Sequence, residues 1–431
     1  ENAHEGNLFQ PDIAMPTKGC YFPPTLITEM EPSASLMQEE IFGPVLVSTT
    51  FRTPKEAIAL ANNSRYGLAA SIWTENINLA LDIAPKIECG VVWINSVNQF
   101  DAAAGFGGRR ESGFGREGGA EGLLAYVKPK SKTAELKKQK RYKRSTTKSN
   151  TSGSLDKTLK LYIGGKQVRP DSGYSKAVFG PKGFITHIGD GNRKDIRNAV
   201  EAAHKAGNWS KTSGHLRAQI LYYLAENLDK RSSEFIENII LSTGVKKEVA
   251  QKEVETSISR LFYYAAWADK FDGAVHDVPI RGVTLAMNEP LGVVGVICPE
   301  ENPLLGLVSL AAPLIAMGNT CVLIPSASSP NIAANFYQVL DTSDVPAGVL
   351  NIITGEEEAF VKTLSEHHDI AAIWYFGAGN NSGEIERFST ASLKRTWVNN
   401  NKTRDWHCNG QGKEFLNNAT DVKNIWIPYG E

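Results

Sequence analysis

Five cysteines are the obvious nucleophiles in this 431-residue chain: Cys20, Cys89, Cys298, Cys321 and Cys408. A thiol attacks only as thiolate, and a catalytic pair is normally assembled from distant segments. Cys408 follows His407 directly, and adjacent residues rarely point at one another, so the pair makes a poor nucleophile and base. Cys298 and Cys321 lie inside the apolar runs GVVGVICP and NTCVLIP, where burial raises a thiol's pKa and leaves it inert. The cysteines are odd in number and widely spaced, with no CxxC, which points to a reducing, cytoplasmic setting. None of the eight histidines, His367-His368 included, stands at metal-ligand spacing, so no metal site is expected. No GxGxxG and no GxxxxGK[ST] marks a phosphate loop.

Charge supplies one further chemical feature. The chain carries 46 Lys plus Arg against 47 Asp plus Glu, a net charge of -1. Residues 128–148 hold ten Lys or Arg and only Glu135, a local +9 that leaves -10 for the rest. Attraction to nucleic acid or anionic lipid is therefore confined to that run, and its composition is that of a tether. Residues 302–340 lack any charged side chain, yet Pro303, Pro313, Pro325 and Pro330 interrupt them, so no membrane span is expected. The sequence opens on Glu1, has its first methionine at Met15 and carries no leader pattern, which sets the expectation of a later part of a longer polypeptide.

Behind these residues the pattern alternates strand with helix. VLVSTTF, AASIWT and CGVVWINS read as strands, with a helix between each pair, the first of them N-capped by Thr53. Residues 128–157 read as a basic linker. Beyond them, LYIGGKQV predicts a hairpin about Gly164-Gly165, several amphipathic helices follow, and GVVGVICP, NTCVLIP and GVLNIITG read as strands buried on both faces of a parallel sheet. The expectation is an α/β fold containing a doubly wound nucleotide-type sheet whose ligands sit off the strands' carboxyl ends.

Two sets of motifs carry a resemblance to the NAD(P)-dependent aldehyde dehydrogenase superfamily. Glu39-Glu40-Ile41-Phe42-Gly43-Pro44, Asn62-Asn63-Ser64-Arg65-Tyr66-Gly67-Leu68-Ala69, Val92-Trp93-Ile94-Asn95 and Phe106-Gly107-Gly108 with Glu111-Ser112-Gly113-Phe114-Gly115-Arg116-Glu117 resemble the family's carboxyl-terminal portion. Tyr263-Tyr264-Ala265-Ala266-Trp267-Ala268-Asp269-Lys270, Glu289-Pro290-Leu291-Gly292-Val293-Val294-Gly295, Pro313 through Asn319 and Pro346 through Asn351 resemble its amino-terminal, cofactor-binding portion. One unit followed by a truncated second is similar to aldehyde dehydrogenase family 16 in particular. The implied division is 1–127 as the carboxyl-terminal part of a first unit, 128–157 as linker, and 158–431 as a truncated, degenerate second unit ending in an oligomerisation strand.

The resemblance implies that Glu40 holds the nicotinamide ribose of NAD or NADP, that Phe42 backs it, and that Pro299 and Gly355 contact the cofactor in the second unit. Phe106 resembles a substrate-tunnel aromatic, although core packing accounts for it equally well. Departures from the pattern decide the expected activity. Glu301 stands where the family places the asparagine that donates to the oxyanion, and Ile324 and Ala327 replace the lysine and glutamate that hold the adenosine ribose. The family's cysteine nucleophile and its base find no match here, so no catalytic residue is assigned and cofactor binding by the second unit is expected to be weak or absent. The expected roles are thus an NAD(P)-linked oxidoreductase piece that is silent as this chain, or a pseudoenzyme scaffold. Implied partners are a second copy and other proteins, with nucleic acid only through the basic run. LYIGGKQV resembles the entry of an oligomerisation arm, and DVKNIWIP the terminal strand, expected to pair with the first unit's sheet or with a second chain.

Overall fold

The computed structural model describes residues 6–127, 134–135 and 158–429. The chain forms two compact units, one from Glu1–Ala125, Val275–Ala286 and Lys423–Glu431, the other from Tyr126–Ala274 and Met287–Val422. The expected linker, 128–157, lies outside the described residues except for the short strand Ala134–Glu135.

In the first unit the helix Pro54–Asn62 begins where the sequence places it. Thr53 is extended, its Oγ1 accepts the Glu56 N–H at 3.1 Å, and Pro54 follows at the first helical position. Strand β1 (Ala69–Ile72) and strand β2 (Val91–Ile94) then run parallel, with the helix Ile77–Ile83 between them. β2 is buried throughout because it is interior to a five-stranded sheet whose order is Ala274–Asp277, Gly282–Pro290, Thr420–Pro428, β2, β1. The late strand pairs with β2 in parallel register, Asn424 opposite Val91, Ile425 opposite Val92 and Trp426 opposite Trp93. Lys423 Nζ donates to the carbonyls of Pro85 and Ile87 at 3.0 and 2.6 Å, and Asn424 Nδ2 to that of Gly105 at 2.7 Å. Of the two pairings expected for DVKNIWIP, the strand takes the one within its own chain.

The second unit starts with the predicted hairpin. Leu161–Ile163 and Lys166–Val168 pair antiparallel about Gly164 and Gly165, whose φ of 60° and 73° only glycine adopts without strain in so tight a turn. Tyr162 pairs antiparallel with Ile352, so LYIGGKQV forms the edge of this unit's own sheet. Four helices follow, including α1 (Lys247–Trp267). The first of them, Arg193–Lys205, is fixed by a reciprocal cap between Asn192 and Asp195.

Then come β3 (Val293–Ile297), α2 (Pro303–Ala316), β4 (Thr320–Ile324), β5 (Leu350–Ile352), α3 (Glu357–Glu366), β6 (Ala372–Tyr375), α4 (Ser382–Ser389) and β7 (Arg395–Val398). The seven-stranded sheet runs Lys166–Val168, Leu161–Ile163, β5, β4, β3, β6, β7, and the last five strands are parallel. By chain order those five read third, second, first, fourth, fifth, the doubly wound arrangement that reverses direction between β3 and β6. Every residue of α2 is buried, which explains why it carries no charge. The fully buried Asn319 closes its C-terminal side, accepting from the Leu291 and Gly292 N–H groups and donating to the carbonyls of Leu314 and Ala419. No helix among the described residues is long and apolar enough to cross a membrane.

Candidate functional site

In a doubly wound sheet the ligand crevice opens at the strands' carboxyl ends, where the order reverses. Here Ile297 is level with Ile324 on one side and Tyr375 on the other, so the segments after β3, β4 and β6 leave the sheet at one edge. The segment after β6, Gly377-Ala378-Gly379-Asn380-Asn381, leads into α4, which is where a phosphate loop would lie. Two carboxylates meet these segments. Glu300, just past β3, reaches the turn after β4: its Oε1 accepts the Ala327 N–H at 2.7 Å, and its Oε2 accepts the Ser326 hydroxyl at 2.7 Å and the Ser328 N–H at 2.9 Å. Glu357, the first residue of α3, accepts on Oε1 from Tyr375 Oη at 2.7 Å and from Asn381 Nδ2 at 2.9 Å. A Cβ added to Gly377 would stand 2.6 Å from Glu357 Oε2, and one on Gly379 2.8 Å from Oε1. The close backbone approach that such glycines give a pyrophosphate is thus taken by a side chain of the same unit.

Burial pushes the Glu357 carboxyl up, against the pull of its two hydrogen bonds. Burial likewise raises Glu301, with the Glu300 charge adding to it. Glu301 stands where the sequence expected an oxyanion donor to be replaced, and as carboxylate or as acid it is no substitute for a fixed amide. The neighbouring Asn302 is in the left-handed region at φ 50° and turns its amide toward Glu253 Oε2 at 3.5 Å and His407 Nε2 at 3.4 Å. Glu253, on α1, caps α2 by accepting the Leu304 and Leu305 N–H groups at 2.9 and 3.3 Å. Two like charges about 4 Å apart cost on the order of 4 kcal/mol at an effective dielectric constant near 20, the scale on which these carboxylates would act on a phosphate placed beside them.

Pro299 is buried and packs against Gly306, and Gly355 lies against the ring of Phe360. Ile324, at the place of the ribose-holding lysine, is 1% exposed and belongs to the core. Glu40 and Phe42 lie in the first unit, both exposed, Phe42 at 92% with φ 51°. Phe106, also in the first unit, packs against the cluster of Val91, Trp93, Ala104, Val278 and Trp426, with its ring 4.9 Å from that of Phe100.

None of the five cysteines is in a disulfide. Burial pushes the thiols of Cys298 and Cys321 far up. Cys408 is exposed, and its hydrogen bond to the Asp405 carboxylate raises its pKa. The His407 ring faces Thr256 Oγ1 at 3.2 Å and Asn302, so both its nitrogens are engaged away from a thiol. Sequence reasoning passed over Glu300 and Glu357 as crevice residues; the signal that points there is a Gly-x-Gly after an apolar strand and before a helix.

Residues 4–132 and 178–400 match the model of the aldehyde dehydrogenase family. The chain belongs to that family. Cytosolic 10-formyltetrahydrofolate dehydrogenase of Mus musculus is 31% identical over 235 residues, 52% of this chain and 26% of the mouse protein. An aldehyde dehydrogenase of Agaricus bisporus is 34% identical over 233 residues, 52% of this chain and 46% of its own length. Among solved structures, a point mutant of an aldehyde dehydrogenase from Bacillus cereus superposes with a TM-score of 0.54 at 25% identity, over 57% of this chain and 51% of that one. An NAD+ complex of aldehyde dehydrogenase from the same organism superposes equally well at 24% identity. The chain spans about a quarter to a half of these relatives' lengths. Aldehyde dehydrogenase family membership fits the strand order 3-2-1-4-5 and the crevice at its reversal.

Proposed function

We propose that this chain is a non-catalytic portion of an aldehyde dehydrogenase-family protein, NAD(P)-linked oxidation of an aldehyde to an acid being the activity of the family and not of these residues alone. The observation that carries the reading is the crevice at the β3–β6 reversal, where Glu301 replaces an oxyanion donor and Glu300 and Glu357 take the ligand-facing positions. Three of the cysteines support it: burial raises the thiols of Cys298 and Cys321, and Cys408 is raised by Asp405 while the His407 ring turns to Thr256 and Asn302. NAD or NADP, the family's cofactor, is bound weakly or not at all by the second unit in this reading. The retained role is structural: an oligomerising or protein-docking scaffold, placed in the cytosol as the mouse relative's name and the absence of a disulfide among the five cysteines suggest.

The direct test is steady-state NADH or NADPH production by the purified chain with short- and medium-chain aldehydes. The expected result is no turnover above buffer. Thiol-sensitive turnover abolished by Cys408→Ser would overturn the reading and promote the His407–Cys408 pair.

A further inference from the structure

We propose that Glu300 and Glu357 are built-in occupants of the second unit's crevice, holding from within the positions that a ribose and a pyrophosphate would need. The inference deepens the non-catalytic reading and rests on it. It changes the reason for silence: binding fails less because ribose-holding side chains are missing than because ligand positions are already filled.

The turn after β4 supports this residue by residue. Its three successive N–H donors are all spent internally, those of Ala327 and Ser328 on the Glu300 carboxylate and that of Ser329 on Ser326 Oγ at 3.2 Å. The Ser326 hydroxyl itself donates to Glu300. An incoming anion or hydroxyl finds no unspent donor among them, and it would meet a negative charge. At the other lip, Glu357 lies against both glycines of the Gly377-Ala378-Gly379 loop and is anchored by Tyr375 and Asn381, whose hydrogen bonds both end on Oε1. These two carboxylates come from different loops, after β3 and at the start of α3, and converge on the same sheet edge. Mere capping of local turns would make each matter for stability and neither for ligand affinity.

That contrast is the test. Glu357→Gln keeps an amide oxygen for both Tyr375 and Asn381 and removes only the charge, so it preserves the fold; Glu300→Ala/Glu357→Gln in addition takes the Glu300 carboxylate away from the turn after β4. ADP-ribose is the probe, because it carries both ribose and pyrophosphate but accepts no hydride, which separates this outcome from that of the turnover assay. Calorimetry on the full chain should give a Kd above about 1 mM for the native protein and a gain of about tenfold for Glu357→Gln, larger in the double variant. Thermal melting run in parallel confirms that Glu357→Gln is folded. Micromolar binding by the native chain, or unchanged affinity in folded Glu357→Gln, overturns the proposal, even if the chain still shows no turnover.

Discussion

The two units bury their apolar residues very differently. In the second, β3 and β4 are buried at every position, α2 is buried from Pro303 to Ala316, and one cluster links α1, α2 and the sheet. In the first, the helix Pro54–Asn62 buries no residue, and Val91, Trp93, Ala104, Val278 and Trp426 are buried in one small cluster at the sheet, with Val92, Ile94 and Ile425 also buried. More than half of the exposed large apolar side chains among the described residues fall within residues 1–125, under a third of the chain. The second unit has thus kept a self-sufficient core while filling its ligand crevice with its own carboxylates. In contrast, the first retains its family motifs on a thin core completed by distant segments.

The sharpest way to break this contrast is Trp426→Ala. Trp426 is 4% exposed in the first unit's small cluster, and large-to-small truncation of a buried aromatic costs about 3–5 kcal/mol. Native-state hydrogen exchange should show the Val91–Ile94 amides losing most of their protection while those of β3 and β4 keep theirs. Equal loss in both sheets would mean that the units share one cooperative core.

Lys394 tests the second unit's own burial. It is 5% exposed, donates to the carbonyls of Leu364 and His367, and burial brings its pKa from 10.5 down to about 8. Because the folded value lies below the unfolded one, the unfolded chain holds a proton that the folded chain has released between about pH 8 and 10.5. Stability from this group therefore rises with pH through that window, by up to about 3 kcal/mol, and is lost as pH falls through 8. Urea midpoints at pH 7.5 and pH 10 should show the rise in the native protein and its disappearance in Lys394→Met; parallel profiles would refute the assignment.

Thiol labelling compares the units without mutation. Cys89 is buried in the first unit, Cys298 and Cys321 in the second. Local opening is cheaper where fewer apolar contacts must break, so a small thiol reagent in native buffer should modify Cys89 at least ~10-fold faster than the other two. The reverse order would contradict the thin-core description.

The smallest effect is that of the caps. Thr53→Ala and Asn192→Ala should each cost about 1 kcal/mol locally, and Asn192→Ala should cost the more, because its cap is reciprocal with Asp195. Thermal melting of the two variants measures the difference.

Much of this architecture was legible from local pattern. Thr53 before Pro54, Gly164-Gly165 between two short strands, and the uninterrupted apolar runs around Cys298 and Cys321 each state their own structure within a few residues. What stayed illegible depends on partners far apart in the chain. Nothing near Asn424 announces that its strand lies beside Val91, and nothing near Glu300 announces that its carboxylate will meet the turn at Ser326. Glu357 reads as an acidic residue in the first turn of a helix, a common place for one. Its neighbours Tyr375 and Asn381 arrive only when β6 has joined the sheet. The resemblance identified which family residues are replaced, whereas it could not say what the replacements touch.

The pairing of Asn424–Trp426 with Val91–Trp93 also sets an order of events at the ribosome. Roughly 330 residues separate the two strands, and at about 5–20 residues per second their translation takes about 15–65 s. Throughout that interval β2 has its β1 neighbour on one side and an open row of N–H and C=O groups on the other, beside apolar Val92 and Ile94. Any chain interrupted between them is left with that edge permanently bare, the kind of edge that recruits other polypeptides.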